Sequence, residues 1–326
     1  MRLKISHHTH YDYTPAVDHA DHLAHLQPID SDVQQVKSSA LCITPEPSYR
    51  RNEPDSFGNP STFFSLQSRH DSLDIIATSE VITRPGQALN AQLDFIVPWE
   101  SQRDQFRFRK HSNWHPASAF LFASPYVPLH QDFLDYAVTS FTPKRPLFEA
   151  THDLMSRIHH EFEYASDATD INTPARQALA QRRGVCQDFA HIMLACLRGL
   201  GLATRYVSGY LLTTPPEGQP RLIGCDASHA WISVFLPYQD QSQVRAQDTA
   251  GLNGVPQGSW IDFDPTNHRW GVESPGEDYV RLALGRDYSD VSPLRGVIHG
   301  GAHHTLNVAV TVSPVEYVSE NLRDLP

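Results

Sequence analysis

The chain has 326 residues, 40% of them hydrophobic and 19% charged, the balance of an ordinary soluble globular protein and enough chain for two domains. Its 37 acidic side chains against 26 Lys and Arg give a net charge of −11 and a pI of about 5.9, which removes any electrostatic case for nucleic acid or an anionic membrane as partner. The opening Met1-Arg2-Leu3-Lys4-Ile5-Ser6-His7-His8 lacks the apolar core of a signal peptide, and no apolar run approaches the roughly 18 residues of a membrane span.

Cys42, Cys186, Cys196 and Cys225 are too few for a secreted disulfide framework in a chain this long. A cytoplasmic protein with free thiols is therefore expected. Leu3, Ile5, His7, Thr9, Tyr11 and Tyr13 alternate and would share one face of a strand. A second strand is expected over 34–44, ended by Pro45 and Pro47. The turn-rich Asp55-Ser56-Phe57-Gly58-Asn59-Pro60 stands before two further strand-like runs, 61–68 and 73–82, which read as a hairpin. Residues 1–85 thus predict an antiparallel β-sandwich domain. Pattern is weak over 86–128, where prolines interrupt, and this stretch reads as a connecting region.

Residues 129–326 predict a second, α+β domain with a C-terminal strand extension. Leu147, Ala150, Leu154, Ile158 and Phe162 form the stripe of a helix that starts at Pro146. Thr173-Pro174 predicts another start, with the threonine as N-cap and the proline at the first helical position. The next helix carries Phe189, Ile192, Met193, Cys196, Leu197 and Leu200 on one face and is stopped by Gly199 and Gly201. Strand-like runs follow at 203–212, 221–224, 228–236 and 259–264, with one more at 305–312. Helices followed by an antiparallel run of strands form an α+β arrangement.

The chemistry concentrates in three places. Cys186 sits on the first turn of its helix, behind Gly184, where unpaired N–H groups and the positive end of the helix dipole favour a thiolate. His229 lies near the start of the strand Ser228-His229-Ala230-Trp231, and Asp264 closes the strand Ser259-Trp260-Ile261-Asp262-Phe263-Asp264, which Pro265 ends. A thiolate attacks a carbonyl, an imidazole carries its proton to the leaving amine, and a carboxylate fixes the imidazole's tautomer. Asp262 shares the face of Asp264 and stays open as the alternative carboxylate. Asp188 and His191 read as supporting or packing groups, since His191 points away from Cys186 around the helix.

Four ordered motifs carry a resemblance: Gly184-Val185-Cys186-Gln187-Asp188-Phe189-Ala190-His191, Arg205-Tyr206-Val207-Ser208-Gly209-Tyr210, Asp226-Ala227-Ser228-His229-Ala230-Trp231 and Asp264-Pro265-Thr266-Asn267. With Tyr11-Asp12-Tyr13, Gln34, Asp55-Ser56-Phe57-Gly58-Asn59 and the distal 285–293, the chain resembles the bacterial transglutaminase-like proteins of the cysteine-protease type, over nearly its whole length. The resemblance implies an N-terminal β-rich domain followed by a papain-like core of helices packed on an antiparallel sheet. It also implies Cys186 as nucleophile, His229 as base and Asp264 as orienting carboxylate, acting on an amide carbonyl of a protein or peptide through a thioester. Hydrolysis, deamidation and transamidation stay open. So do a strict peptidase and a peptide-binding scaffold that has kept the three residues.

The oxyanion hole is expected to use the Cys186 N–H and one side-chain donor. No tryptophan falls between Trp114 and Cys186, which leaves Tyr164 as the candidate. Trp231, Arg286, Asp287 and Tyr288 are the expected substrate contacts. No cofactor is expected, and the histidines at 7, 8, 10, 19, 22, 25, 303 and 304 lack a recognisable zinc spacing, so no metal is assigned.

Overall fold

The computed structural model describes residues 1–86, 96–107, 110, 114–165, 173–213, 228–237, 258–301 and 303–315. Its first sheet is built on β1 (Arg2–Ala24), whose alternation buries Leu3, Ile5, His7 and Thr9 on one face. It is followed by β2 (Gln34–Thr44), β3 (Tyr49–Pro54), β4 (Pro60–Leu66) and β5 (His70–Thr83). The order is β2-β5-β1-β4-β3, all antiparallel.

The hairpin expected between 61–68 and 73–82 does not form. Leu66 faces Ala20 and His70 faces Val17, so β4 and β5 follow one another along the same edge of β1. The chain continues straight there, whereas the reversal lies earlier, between β3 and β4. In that turn the Asp55 carboxylate accepts from the N–H groups of Phe57 and Asn59 (2.8 and 2.9 Å), and Gly58 takes the positive φ of +84° that the turn needs.

The helices are α1 (Trp99–Phe106), α2 (Gln131–Ala137), α3 (Leu147–Glu161), α4 (Ala175–Gln181) and α5 (Cys186–Gly199), with the two-residue strands β6 (Glu163–Tyr164) and β7 (Arg183–Gly184) pairing in parallel among them. Pro146 and Pro174 are the N-caps of α3 and α4, which begin at Leu147 and Ala175, one position after the expected starts. α1 was invisible in the connecting region because it buries only Trp99 and Gln102, which makes no stripe. Its Gln102 amide spans two backbones, donating to Phe235 O and accepting from Ala203 N–H.

The second sheet comprises β8 (Thr204–Leu211), β9 (Ser228–Pro237), β10 (Gly258–Asp264), β11 (Arg269–Val272) and β12 (Tyr279–Gly285), in the order β11-β10-β9-β8-β12. Ala230, Ile232, Val234 and Leu236 of β9 bury themselves in the core they share with Phe189, Ile192, Met193 and Cys196 of α5. The strand expected at 221–224 lies outside the described residues.

After the short α6 (Tyr288–Val291), the chain returns to the first sheet as β13 (Leu294–Gly300) and β14 (His303–Pro314). The two run end to end along the free edge of β1, from Leu294 opposite Ala24 to Pro314 opposite Leu3. Residues 294–315, grouped by sequence with the second domain, thus complete a seven-stranded sheet around the first. That sheet curls over a core of its own, in which Leu41 and Ile43 of β2 join Phe64 and Leu66 of β4 and Val17, Ala20 and Ala24 of β1. Its Leu3, Ile5, Val81, Val310 and Val312 belong to the main core with the helices. No helix among the described residues is long and apolar enough to cross a membrane.

Candidate active site

Cys186 is the first residue of α5, and the turn before it is held by the helix itself. The Asp188 carboxylate accepts from the Val185 N–H (2.9 Å), which satisfies a donor at the helix start and sets a negative charge at the positive end of the dipole. Gly184 makes room for that carboxylate, since a Cβ there would stand 2.5 Å from Asp188 Oδ2. Asp188 is therefore the group that fixes the cysteine's backbone.

His229 enters from β9 and Asp264 from β10. These strands are antiparallel, with Asp262 opposite Ser233 and Phe263 opposite Ile232, so the odd-numbered positions of β9 and the even-numbered positions of β10 share a face. On that face His229 Nε2 lies 2.7 Å from Asp264 Oδ2. The Cys186 thiol stands beside the same ring, near enough to raise its affinity for a proton, and the two line one cavity. Asp264 is fully buried and anchored four times more: by the Thr266 and Asn267 N–H groups at Oδ1 (2.9 and 3.2 Å), and by Asn267 Nδ2 and the Tyr279 hydroxyl at Oδ2 (2.8 and 2.7 Å).

Burial alone would keep the His229 ring neutral, but Asp264 and the Cys186 thiol outweigh it and raise the ring to about 10. Burial likewise disfavours the Asp264 carboxylate, yet His229, Asn267 and Tyr279 bring it below the usual carboxylate range. The site therefore holds an imidazolium clamped between a carboxylate and a sulfur at neutral pH. Asp262, the other candidate carboxylate, is turned to different work. It accepts from Trp231 Nε1 (2.8 Å), Ser233 Oγ (2.5 Å) and the Arg281 guanidinium (3.1 Å).

Residues 3–82 match the family described as bacterial transglutaminase-like N-terminal region, and residues 135–265 match the transglutaminase-like superfamily. An uncharacterized protein of Mycobacterium tuberculosis is 36% identical over 97% of this chain and 93% of its own length. The chain belongs to the transglutaminase-like superfamily. An uncharacterized protein of Mycobacterium leprae is 28% identical over 96% of the chain and 98% of its own length. The crystal structure of a "putative cysteine protease" from Cytophaga hutchinsonii shares the fold, with a TM-score of 0.68 at 20% identity over 97% of this chain and 91% of that one.

In this transglutaminase-like chain several expected contacts fall elsewhere. Trp231, expected to touch substrate, is 1% exposed; its indole stacks on the His229 ring (centroids 6.0 Å apart, planes at 26°) and is tied to Asp262. The alternation along β9 was correct, but the His229 and Trp231 face is buried too, under Tyr279. Tyr164, expected at the oxyanion hole, is 56% exposed with its ring against Phe189, and it does not line the cavity that holds Cys186.

Of the 286–288 segment only Tyr288 reaches that cavity. Arg286 is paired twice with Asp290 (2.8 and 2.9 Å). Asp287 is fully buried and caps α6, accepting from Ser289 N–H and from Tyr126 N–H (both 2.8 Å). His191 accepts from the Tyr288 N–H (3.2 Å) and stacks on Tyr126 (5.3 Å), so it holds the segment that carries Tyr288. Burial keeps the His191 ring neutral, down at about 3, against the pull of Asp287. Tyr279 and Asn267 were missed as partners of Asp264, although Asn267 stands inside one of the quoted motifs; the reach of Tyr279 depends on a strand three places away in the sheet.

His8, His10 and Asp74 bring one donor atom each within 4.8 Å, the one group among the described residues that could hold a metal ion. Asp74 Oδ1 there already accepts from both imidazoles (2.7 and 2.8 Å). The group lies on the first sheet, outside the cavity of Cys186.

The thiols should react unequally. Cys42 is exposed, Cys186 half-buried and Cys196 buried, where loss of solvent pushes its thiol far up. At neutral pH, iodoacetamide is expected to label Cys186 ahead of the more exposed Cys42, because its sulfur lies at the start of α5 in one cavity with the His229 ring. Peptide mapping after partial labelling reads the order, and Cys42 reacting first would contradict it. Cys225 lies outside the described residues.

Proposed function

We propose that the protein is a cysteine-dependent enzyme that forms a thioester with the acyl part of a peptide or protein amide. The observation that carries this reading is the His229 ring, held by Asp264 at 2.7 Å on one nitrogen and sharing a cavity with the Cys186 thiol at the start of α5. The Cys186 sulfur, as thiolate, attacks the carbonyl carbon and the carbonyl oxygen takes the negative charge. That oxygen meets the Cys186 N–H, one of the helix-start donors with no partner inside the helix. His229 then gives its proton to the nitrogen as the C–N bond breaks, the amine leaves, and the thioester remains. In the second half His229 takes a proton from water or from an amine, which attacks the thioester carbonyl and releases the thiolate. Water yields an acid and an amine yields a new amide. Asp264 keeps the ring in one orientation and stabilises its charged form, and Tyr279 and Asn267 keep Asp264 in place.

The family membership and the shared fold support a cysteine-based chemistry; whether the acceptor is water or an amine is decided by experiment. The protein is incubated with a peptide library and with a primary amine, quenched in acid, and examined by mass spectrometry. An acyl adduct on Cys186 is expected, together with cleaved, deamidated or amine-bearing peptide. Absence of an adduct and of all three products would leave the peptide-binding scaffold as the better reading.

A further inference from the structure

The catalytic cavity, about 310 Å³, is not enclosed by the second sheet and helix alone. Cys186, Gln187 and His229 line it together with residues of the first sheet, His7, Thr9 and Tyr11 of β1 and Leu306 and Val308 of β14. These side chains share a wall because Thr9 lies opposite Val308 and Tyr11 opposite Leu306. Two observations define what this wall accepts.

The first is charge. Among the described residues that line the cavity there is no Lys, Arg, Asp or Glu, while leucines, tyrosines and a valine make up much of the surface. A charged group entering here would lose its water with no counter-charge beyond the His229 and Cys186 pair already matched to each other.

The second is a chain of hydrogen bonds. His7 Nδ1 lies 2.8 Å from the Tyr210 hydroxyl and His7 Nε2 lies 3.1 Å from Thr9 Oγ1. Burial, with His8 nearby, holds the His7 ring down at about 4, so it is neutral at physiological pH and carries one N–H. The two hydroxyls and the one N–H supply three protons, and two fill the two bonds. Whichever tautomer is present, one hydroxyl proton is left over at the cavity wall to be donated to a third group.

Resting on the acyl-enzyme reading above, we propose that β1 and β14 form the pocket for the acyl side chain, that His7, Thr9 and Tyr210 are its specificity-determining residues, and that it selects an uncharged side chain bearing a hydrogen-bond acceptor. The first domain is on this assignment part of the substrate site. The volume is at the lower end for ligand pockets, which matches a side chain or two and not a long stretch of polymer.

The test uses the full-length protein and peptide aminomethylcoumarin amides whose acyl residue is Gln, Glu or Leu, three side chains of similar size. Wild type is expected to favour Gln over Glu by at least about a hundredfold in kcat/KM, from the uncompensated charge, and Gln over Leu by about tenfold, from the hydroxyl donor. Thr9→Val and Tyr210→Phe remove one hydroxyl each at nearly constant shape, and His7→Leu removes the link between them. In these variants the Gln-to-Leu ratio is expected to fall towards one while the preference against Glu stays. The ratio, not the rate, is the readout, because a variant that merely loosened the fold would slow all three substrates alike. A wild-type preference for Glu, or a Gln-to-Leu ratio unchanged in all three variants, overturns the pocket assignment. Acid-quenched intact mass separates that from a deeper failure: no thioester adduct on Cys186 with any of the three amides would overturn the acyl-enzyme reading itself.

Discussion

Cys186→Ala should leave a folded protein without turnover. The side chain is half-buried at a helix start and its loss opens no large cavity, so the thermal unfolding midpoint is expected to stay within a few degrees of wild type. Peptide turnover, by contrast, should fall by roughly four to six orders of magnitude, as it does when a covalent nucleophile is removed. Cys186→Ser should be nearly as poor, because a hydroxyl ionises far less readily than a thiol. The two measurements belong together, since lost turnover with lost folding would say nothing about the nucleophile. Retention of full turnover by folded Cys186→Ala would end the assignment.

Asp264→Asn should cost about 10³ to 10⁴ in kcat/KM, the scale seen when the carboxylate that orients a catalytic histidine is neutralised. It also makes a statement about pH. The native ring titrates near 10 against about 6.5 for an unfolded histidine. The folded state thus binds the extra proton between those values, and stability falls as pH rises through that interval. The contribution is complete below about pH 6.5 and gone above about pH 10. Asp264 works at the other end: its lowered value supplies stability above the unfolded carboxylate range, lost as pH falls through the folded value. Both describe one charge pair and are not to be added. In wild type the alkaline limb of kcat/KM should therefore lie near pH 10, and in Asp264→Asn it should move down by several pH units, followed by NMR of the His229 ring. An alkaline limb that stayed put would mean that a group other than His229 governs it.

Much of the site could be read from sequence because its three members sit at the ends of regular elements. Gly184, the apolar stripe of α5 and its stop at Gly201 place Cys186 on a helix start, and Gly201 indeed takes a φ of +81°. Pro265 ends β10 just beyond Asp264, and period two puts His229 and Trp231 on a common face. Local periodicity cannot say which strand lies beside which, and several of the contacts that shape the site lie beyond it. The pairing of β4 and β5 with β1, the return of residues 294–315 to the first sheet and the reach of Tyr279 to Asp264 are contacts between segments far apart in the chain. Trp231 was taken for a substrate contact because alternation marks a face without saying whether something covers it. His7, Thr9 and Tyr11 were placed on one face correctly, but nothing in their own segment shows that they line a cavity with Cys186.

The pairing of β1 with β14 also orders events in time. Leu3 lies opposite Pro314, so β1 waits for a partner synthesised about 300 residues later. At about 5–20 residues per second that interval is roughly 15–60 s. During it, β5 can already occupy one edge of β1, but the other stands open, an exposed row of backbone donors and acceptors of the kind that recruits stray strands. The helix, imidazole and carboxylate can assemble meanwhile, since their residues have all been made by position 279. The thiol can thus be in place before its enclosure is shut, and β14 is the strand that shuts it.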